Sequence, residues 1–448
     1  MTLSVIINMN LNWFDPITML GVLSAGGGDS SKIVITLLIQ IAVIIAAAKF
    51  AGEITARFLK LPTVLAELGI GVLIGPFALG ALPIPGFGPL FPLKLVNGIP
   101  AAIPVSSELF AIAQIGSVIL LFAIGLETNL RQFLKYAGPA TAVALGGVVL
   151  PFALGSGATV LFGFADGFLS SEALFMGALM TATSVGITAR VLADLKSLDR
   201  PEGVTILAAA VVDDVLGILV LTVVVGASAA SSFSAGAIGI VAIKAIGFWL
   251  GLTAIGIWAA PYIERAINKF RSDGAGLVLT LALAFLAAGA AELAGLAFII
   301  GAFSIGLALS ATELAHRVER ELSGIIQFIV PIFFVVMGML VDVGSMTSAV
   351  IFGIVLSVLA ILSKVLGSGI PALATGFNFL GSARIGVGMT PRGEVALIIA
   401  GIGLSQGIIG QNLFGVSIMM TIITTLIAPI ILVPLLKNET RGTRKGNL

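Results

Sequence analysis

Cysteine is absent from the 448 residues, histidine occurs once, and only 10% of the chain is Asp, Glu, Lys or Arg. The missing thiols exclude disulfides, thiolate metal ligation and a cysteine nucleophile. A lone histidine, His316, excludes a histidine-rich metal centre. The scarcity of charge excludes an ordinary soluble domain, in which about 25% of residues are charged. The net charge of +1 gives no basis for a nucleic-acid partner. At the start, Met1-Thr-Leu-Ser-Val-Ile-Ile-Asn lacks the basic region of a signal peptide. Residues 1–32 read as an extracytoplasmic leader, interfacial and partly helical.

What remains is apolar: 58% of residues are hydrophobic and the mean hydropathy is +1.17. The fold class is therefore an all-α polytopic membrane protein. Its 55 glycines suit close helix packing, because small residues let backbones approach where lipid supplies no hydrophobic drive. A membrane span needs about 20 apolar residues. Thirteen segments satisfy that reading: 33–55, 62–81, 108–128, 136–162, 172–194, 203–226, 235–261, 275–291, 293–311, 324–341, 347–375, 384–405 and 413–436. The proline-rich connection 82–107 reads as an ordered surface loop, and residues 437–448 as a basic tail.

Charges at the segment ends give an orientation. One side holds Arg57, Lys60, Arg131, Lys135, Arg190, Lys196, Arg200, Arg265, Lys269, Arg271, Arg317, Arg320, Arg384, Lys437, Arg441, Arg444 and Lys445. The other holds only Lys32 and Lys94. The basic side is expected to be cytoplasmic, with the C-terminus inside and the N-terminus outside. Such a bias fits a bacterial inner membrane, and a thylakoid membrane equally.

Segments one to six overlay segments eight to thirteen with inverted orientation, segment seven being the connector. Secondary transporters are commonly built from such repeats, with sites at the midplane where helices are interrupted. The overlay pairs segment five with segment twelve, and both carry an interruption. Segment five contains Thr181-Ala-Thr-Ser-Val-Gly186, and segment twelve contains Gly388-Met-Thr-Pro-Arg-Gly-Glu394. Pro391 has no N–H to donate and its ring clashes with the preceding turn.

Charge inside the membrane is the strongest functional signal. Each central carboxylate costs roughly 2.5–3.5 kcal/mol on the mildest scale, yet Asp213 and Asp214 stand side by side in segment six. Lys364 lies in segment eleven, and Arg392 and Glu394 flank the break in segment twelve. Adjacent helical residues point about 100° apart. One aspartate should therefore face a basic partner, for which Lys364 has the depth and the sign, and the other an aqueous cavity. A static Asp–Lys bridge between helices is the structural alternative. Thr183 and Ser184 offer hydroxyls and freed carbonyls, and oxygen ligands suit hard cations. Arg392 and Glu394 can pair with each other or balance half-helix charge. Glu67 is a buried carboxylate suited to helix packing.

The segments Val211-Val-Asp-Asp-Val-Leu-Gly217, Thr181-Ala-Thr-Ser-Val-Gly186, Lys364 and Pro391-Arg-Gly-Glu-Val-Ala-Leu397 together resemble the monovalent cation/proton antiporters of the second group. The likeness extends over nearly all thirteen segments. It implies a homodimer with crossed discontinuous helices. A mobile core would span about 136–226 and 347–436, beside a dimerisation scaffold of about 33–128 and 235–341. It also implies sodium at Asp214 with Asp213 and Thr183, pairing of Asp213 with Lys364, and no cofactor beyond the transported ions. Where some relatives have an aspartate after the threonine, this chain has Ser184. Sodium/proton exchange is the expected activity, with cation and proton competing for the carboxylates. A potassium/proton antiporter or potassium efflux system of the same fold is the alternative. Residues after Leu436 hold no long nucleotide-binding domain, which weighs against a gated efflux system. An intramembrane aspartyl protease needs two aspartates facing each other from different helices, whereas neighbours on one helix splay apart.

Overall fold

Inside hydrocarbon, backbone N–H and C=O groups can be satisfied only within helices or closed barrels. In the computed structural model the apolar runs of this chain form helices. It describes residues 29–59, 62–85, 87–96, 99–101, 103–228, 235–342, 344, 349–405, 407–438 and 440–444. The expected leader therefore lies almost wholly outside the described residues, as does the end of the basic tail.

The helices are α1 (Asp29–Ile54), α2 (Thr63–Ile74), α3 (Ser107–Glu127), α4 (Leu130–Leu161), α5 (Ser171–Thr181), α6 (Val185–Asp194), α7 (Pro201–Ser228) and α8 (Ala235–Ile267). They continue with α9 (Ala275–Leu293), α10 (Phe298–Leu309), α11 (Glu313–Met339), α12 (Val350–Ala374), α13 (Phe379–Gly388), α14 (Glu394–Ser405) and α15 (Gln411–Lys437). Several begin at side-chain caps, which satisfy orphan N–H groups of the first turn. Ser106, Asn129, Ser170, Thr312 and Asn378 cap α3, α4, α5, α11 and α13.

Among the described residues, eleven stretches are long and apolar enough to cross a membrane. Two of the thirteen expected segments are not among them. Segment 293–311 is represented by the twelve-residue helix α10, and segment 384–405 is interrupted between α13 and α14. The proline-rich connection is ordered by two small antiparallel hairpins, Pro83–Ile84 with Gly88–Pro89 and Leu95–Val96 with Ile99–Pro100. Gln40 on α1 donates to the Leu90 carbonyl at 2.7 Å, and Phe91 is buried.

The helices fall into two groups by their mutual packing. Helices α1, α2, α3, α9, α10 and α11 pack on one another, with α8 laid against α10. Helix α4 is the centre of the other group, against α5, α7 and α12, while α13 and α15 pack on α12 and α14 packs on α15 and α5. Close approach at the centre of this second group depends on Gly146 and Gly367. A Cβ on either would run into the backbone of the other helix. The groups meet chiefly through α6, which touches both α2 and α3, and through α7 against α8. An apolar cavity opens along this seam, lined by residues that include Leu68, Ile187, Phe333, Met337, Arg392 and Thr425.

Arg384 departs from its expected place among solvated end charges. It is buried in α13 and ion-paired to the buried Glu202 on α7, and its Nε donates to the Leu435 carbonyl at 3.0 Å. The chain beyond α15 folds back over this pair. Asn378 N donates to Gly442 O at 2.9 Å, and Arg444 N to Gly376 O at 3.0 Å.

Candidate ion-binding site

The break between α5 and α6 follows from Thr181-Ala-Thr-Ser, where hydroxyl side chains compete with the helical backbone for hydrogen bonds. Ala182 and Ser184 take extended conformations, with ψ of 138° and 107°. Between α13 and α14, residues 389–393 leave the helix around Pro391. Each break supplies what the other lacks. Ser184 N donates to the Pro391 carbonyl at 2.7 Å, and the Thr188 hydroxyl to the Gly388 carbonyl at 2.7 Å. The two interrupted helices thus cross at their breaks.

Arg392 fastens the crossing. Its side chain is fully buried, with Nη2 donating to Met180 O at 2.5 Å and Nη1 to Thr390 O at 3.0 Å. The last carbonyls of a helix have no intrahelical donor and carry the negative end of its dipole. A guanidinium at the end of α5 answers both. The carbonyl of Arg392 in turn accepts from the Thr425 hydroxyl of α15. Arg392 is thus bound to backbone carbonyls; the side chain of Glu394, at the first position of α14, lies outside the described residues.

Beside the crossing, Asp213 on α7 is buried and its Oδ1 accepts from Lys364 Nζ on α12 at 3.0 Å. Lys364 is wholly enclosed, and Gly147 on α4 makes the room: a Cβ there would crowd Ser368 Oγ and lie 3.5 Å from Lys364 Nζ. The Thr183 hydroxyl lies between two acceptors, the Asp213 carboxylate and the Met389 carbonyl, the latter at 3.4 Å. Its single proton serves one at a time. Asp214 is half-buried, rotated about 100° from Asp213 around the helix, and still within electrostatic reach of Lys364. The Ser184 hydroxyl is buried without a hydrogen-bond partner among the described residues, and Gly393 leaves room for it.

The fold thus brings Thr183, Ser184, Asp213, Asp214, Lys364, Pro391 and Arg392 into one neighbourhood. Glu67 is not part of it. That carboxylate is buried on α2 at the seam with α6. Sequence reasoning missed Thr188 and Thr425, hydroxyls in apolar helices whose partners are backbone carbonyls and leave no trace in sequence. It also missed Gly147. Among the described residues no three His, Cys, Asp or Glu side chains group as a metal cage. Carboxylates, hydroxyls and carbonyls are the kind of oxygen donors that suit a hard cation.

Fold and site define a class: polytopic membrane proteins in which two interrupted helices cross beside buried carboxylates. The profile of the sodium/hydrogen exchanger transmembrane family matches residues 39–438, and the chain belongs to that family. It is 36% identical to the high-affinity sodium/proton antiporter NhaS3 of Synechocystis sp., over 91% of this chain and 90% of that protein. It is also 36% identical to the Na(+)/H(+)-K(+) antiporter GerN of Bacillus cereus, over 89% of this chain and 95% of the relative. A sodium/proton antiporter of Enterococcus hirae is 31% identical over 87% of the chain and 95% of the relative. In fold, the chain resembles the sodium/proton antiporter MjNhaP1 of Methanocaldococcus jannaschii, with a TM-score of 0.68 and 18% identity, covering 90% of this chain and 98% of that one.

Proposed function

We propose that the protein is a secondary antiporter exchanging sodium for protons, with both competing for one carboxylate site. The observation that carries this reading is the buried Asp213–Lys364 pair, 3.0 Å apart, with Asp214 next in sequence and the crossing of broken helices beside it. Asp214 is the principal cation ligand, assisted by Asp213, Thr183 and Ser184. Lys364 is the coupling group: when a sodium ion takes the charge of the carboxylates, Lys364 loses its counter-ion and its proton is released. Pro391 and Arg392 hold the break open, and we assign Glu394 a supporting role there. No bond of a substrate is made or broken.

Exchange requires the site to face each side in turn. We assign α4–α7 and α12–α15, within about 136–226 and 347–436, as the moving core. The scaffold of about 33–128 and 235–341 then forms the dimer contact. The two-group packing and the small seam between them support this division. An inverted repeat fits the interruptions in corresponding places and the equal twelve-residue lengths of α2 and α10. Basic end charges favour a plasma membrane with the C-terminus inside, the thylakoid membrane being the other possibility. A potassium/proton antiporter is the second reading, favoured by the name of the Bacillus cereus relative, which includes potassium.

The test is exchange by the purified protein in liposomes loaded with a pH-sensitive dye, driven by sodium, lithium or potassium pulses. Sodium should collapse the pH gradient, and Asp214→Asn should abolish the response. Full exchange by that variant overturns the site. A response to potassium alone selects the second reading.

A further inference from the structure

Away from the crossing, the seam between the two groups holds a second set of charges. Glu67 on α2 is 4% exposed, and its Oε2 has no hydrogen-bond partner among the described residues. Across the seam, on α6, stands the cation Arg190. Its Nε is shielded from solvent and held by a carboxylate of its own helix. Asp194, one turn along the same helix, places Oδ1 3.2 Å from that Nε and forms an ion pair with it. Leaving a buried donor or acceptor unmade costs the full desolvation of the group. Here the orphan acceptor on α2 faces a helix whose cation is paired locally, since α2 packs against α6.

The neighbourhood narrows the possible partners. Of the cations that act on Glu67, Arg190 acts most strongly, ahead of Lys49 on α1, and Asp194 opposes it. Glu127 at the end of α3 also feels Arg190, together with the like charges of Glu319 and Asp199. Arg190 is therefore one guanidinium offered to carboxylates of both helix groups. Helix α6 starts at the crossing and is bonded to it through Thr188. A movement of the core consequently carries Arg190 along the face of α2.

We propose that Glu67 and Arg190 form a state-dependent latch between scaffold and core. In the conformation described the latch is undone and Arg190 rests on Asp194 of its own helix. In the opposite access state Arg190 passes from Asp194 to Glu67, and the orphan oxygen of Glu67 is satisfied. A buried carboxylate left unpaired in one state and paired in another biases the equilibrium between the states, which is how differential contacts set populations. Glu67 is then a positioning residue for the movement and not a cation ligand. The latch rests on the alternating-access reading above.

The absence of cysteine makes the test direct. Glu67→Cys with Arg190→Cys creates the single thiol pair in the chain, and a disulfide requires Cα atoms within about 7 Å. In liposomes, copper phenanthroline should cross-link the pair at rates differing at least about fivefold between sodium-loaded and sodium-free vesicles, the lower end of a usual coupling between sites. The cross-link should stop exchange, and a reductant should restore it to the rate before oxidation. No cross-link, equal rates in both conditions, or exchange that continues after cross-linking overturns the latch. Independently, Glu67→Gln and Arg190→Gln should each change the maximal exchange rate at least about fivefold with the sodium KM unchanged. The exchanged pair Glu67→Arg with Arg190→Glu should recover toward the wild-type rate. A shifted KM at unchanged maximal rate makes Glu67 a ligand and refutes the proposal. The wild type in the same vesicles separates the two failures: if it shows no sodium-driven exchange, the antiport reading fails, and if it does and the variants match it, only the latch fails.

Discussion

Replacing Lys364 by methionine keeps most of the side-chain volume and removes the charge, leaving Asp213 enclosed without its cation. The partners are 3.0 Å apart and both buried. At an effective dielectric constant of ~20, their attraction is about 5–6 kcal/mol. Desolvation of two ions opposes most of this, so the pair adds little net stability, but an orphaned charge costs about 3–5 kcal/mol. The Thr183 hydroxyl can turn fully to Asp213 and abandon Met389 O, which recovers about 1.5–3 kcal/mol at most. Lys364→Met alone, and Asp213→Asn alone, should therefore each lower the thermal unfolding temperature of the purified protein in detergent. The double variant, with neither charge, should melt near the wild type or above it. A strongly non-additive cycle is the signature, because each single variant leaves the other ion buried. If the two losses simply add, or if Lys364→Met melts like the wild type, the buried-pair reasoning is wrong.

Thr183→Val removes the hydroxyl beside Asp213 and should raise the sodium KM by roughly tenfold, the size of one hydrogen bond at a charged group, measured by dye-monitored exchange in liposomes. Gly147→Val should press on Ser368 and Lys364 and destabilise by about 1–3 kcal/mol through overpacking, with slowed exchange, read by thermal melting and flux together. Glu202→Gln should orphan the buried Arg384 and cost about 3–5 kcal/mol in stability, while the sodium KM stays at the wild-type value because that pair lies at the start of α7, about three turns from Asp213.

The parts legible in sequence were those the membrane makes expensive. A carboxylate pair in an apolar helix, a lysine at the same depth and a proline beside an arginine stand out because lipid tolerates none of them without cause. The interruptions were legible for the same reason, through Thr181-Ala-Thr-Ser and Pro391. Residue spacing alone left open which aspartate meets Lys364. The family resemblance supplied that assignment, and the packing of α4 against both α7 and α12 gives it a geometry. The illegible parts are contacts to backbone. Arg392 grips Met180 O, 212 residues away, and a carbonyl carries no mark in the sequence. Arg384 looked like a solvated end charge because only the folded chain brings Glu202, 182 residues earlier, against it. The shortness of α10 was hidden because its apolar run continues through Leu296 and Ala297, which precede the helix.

The central claim is competition of sodium and protons for one carboxylate site, and the pH dependence of sodium affinity tests it most directly. In liposomes the sodium KM should rise as pH falls, approaching about tenfold per unit for each competing proton, because only the deprotonated fraction of sites accepts the cation. The maximal rate at saturating sodium should remain constant over the same interval. A KM that does not change with pH while the maximal rate falls contradicts a shared site and requires separate paths for cation and proton.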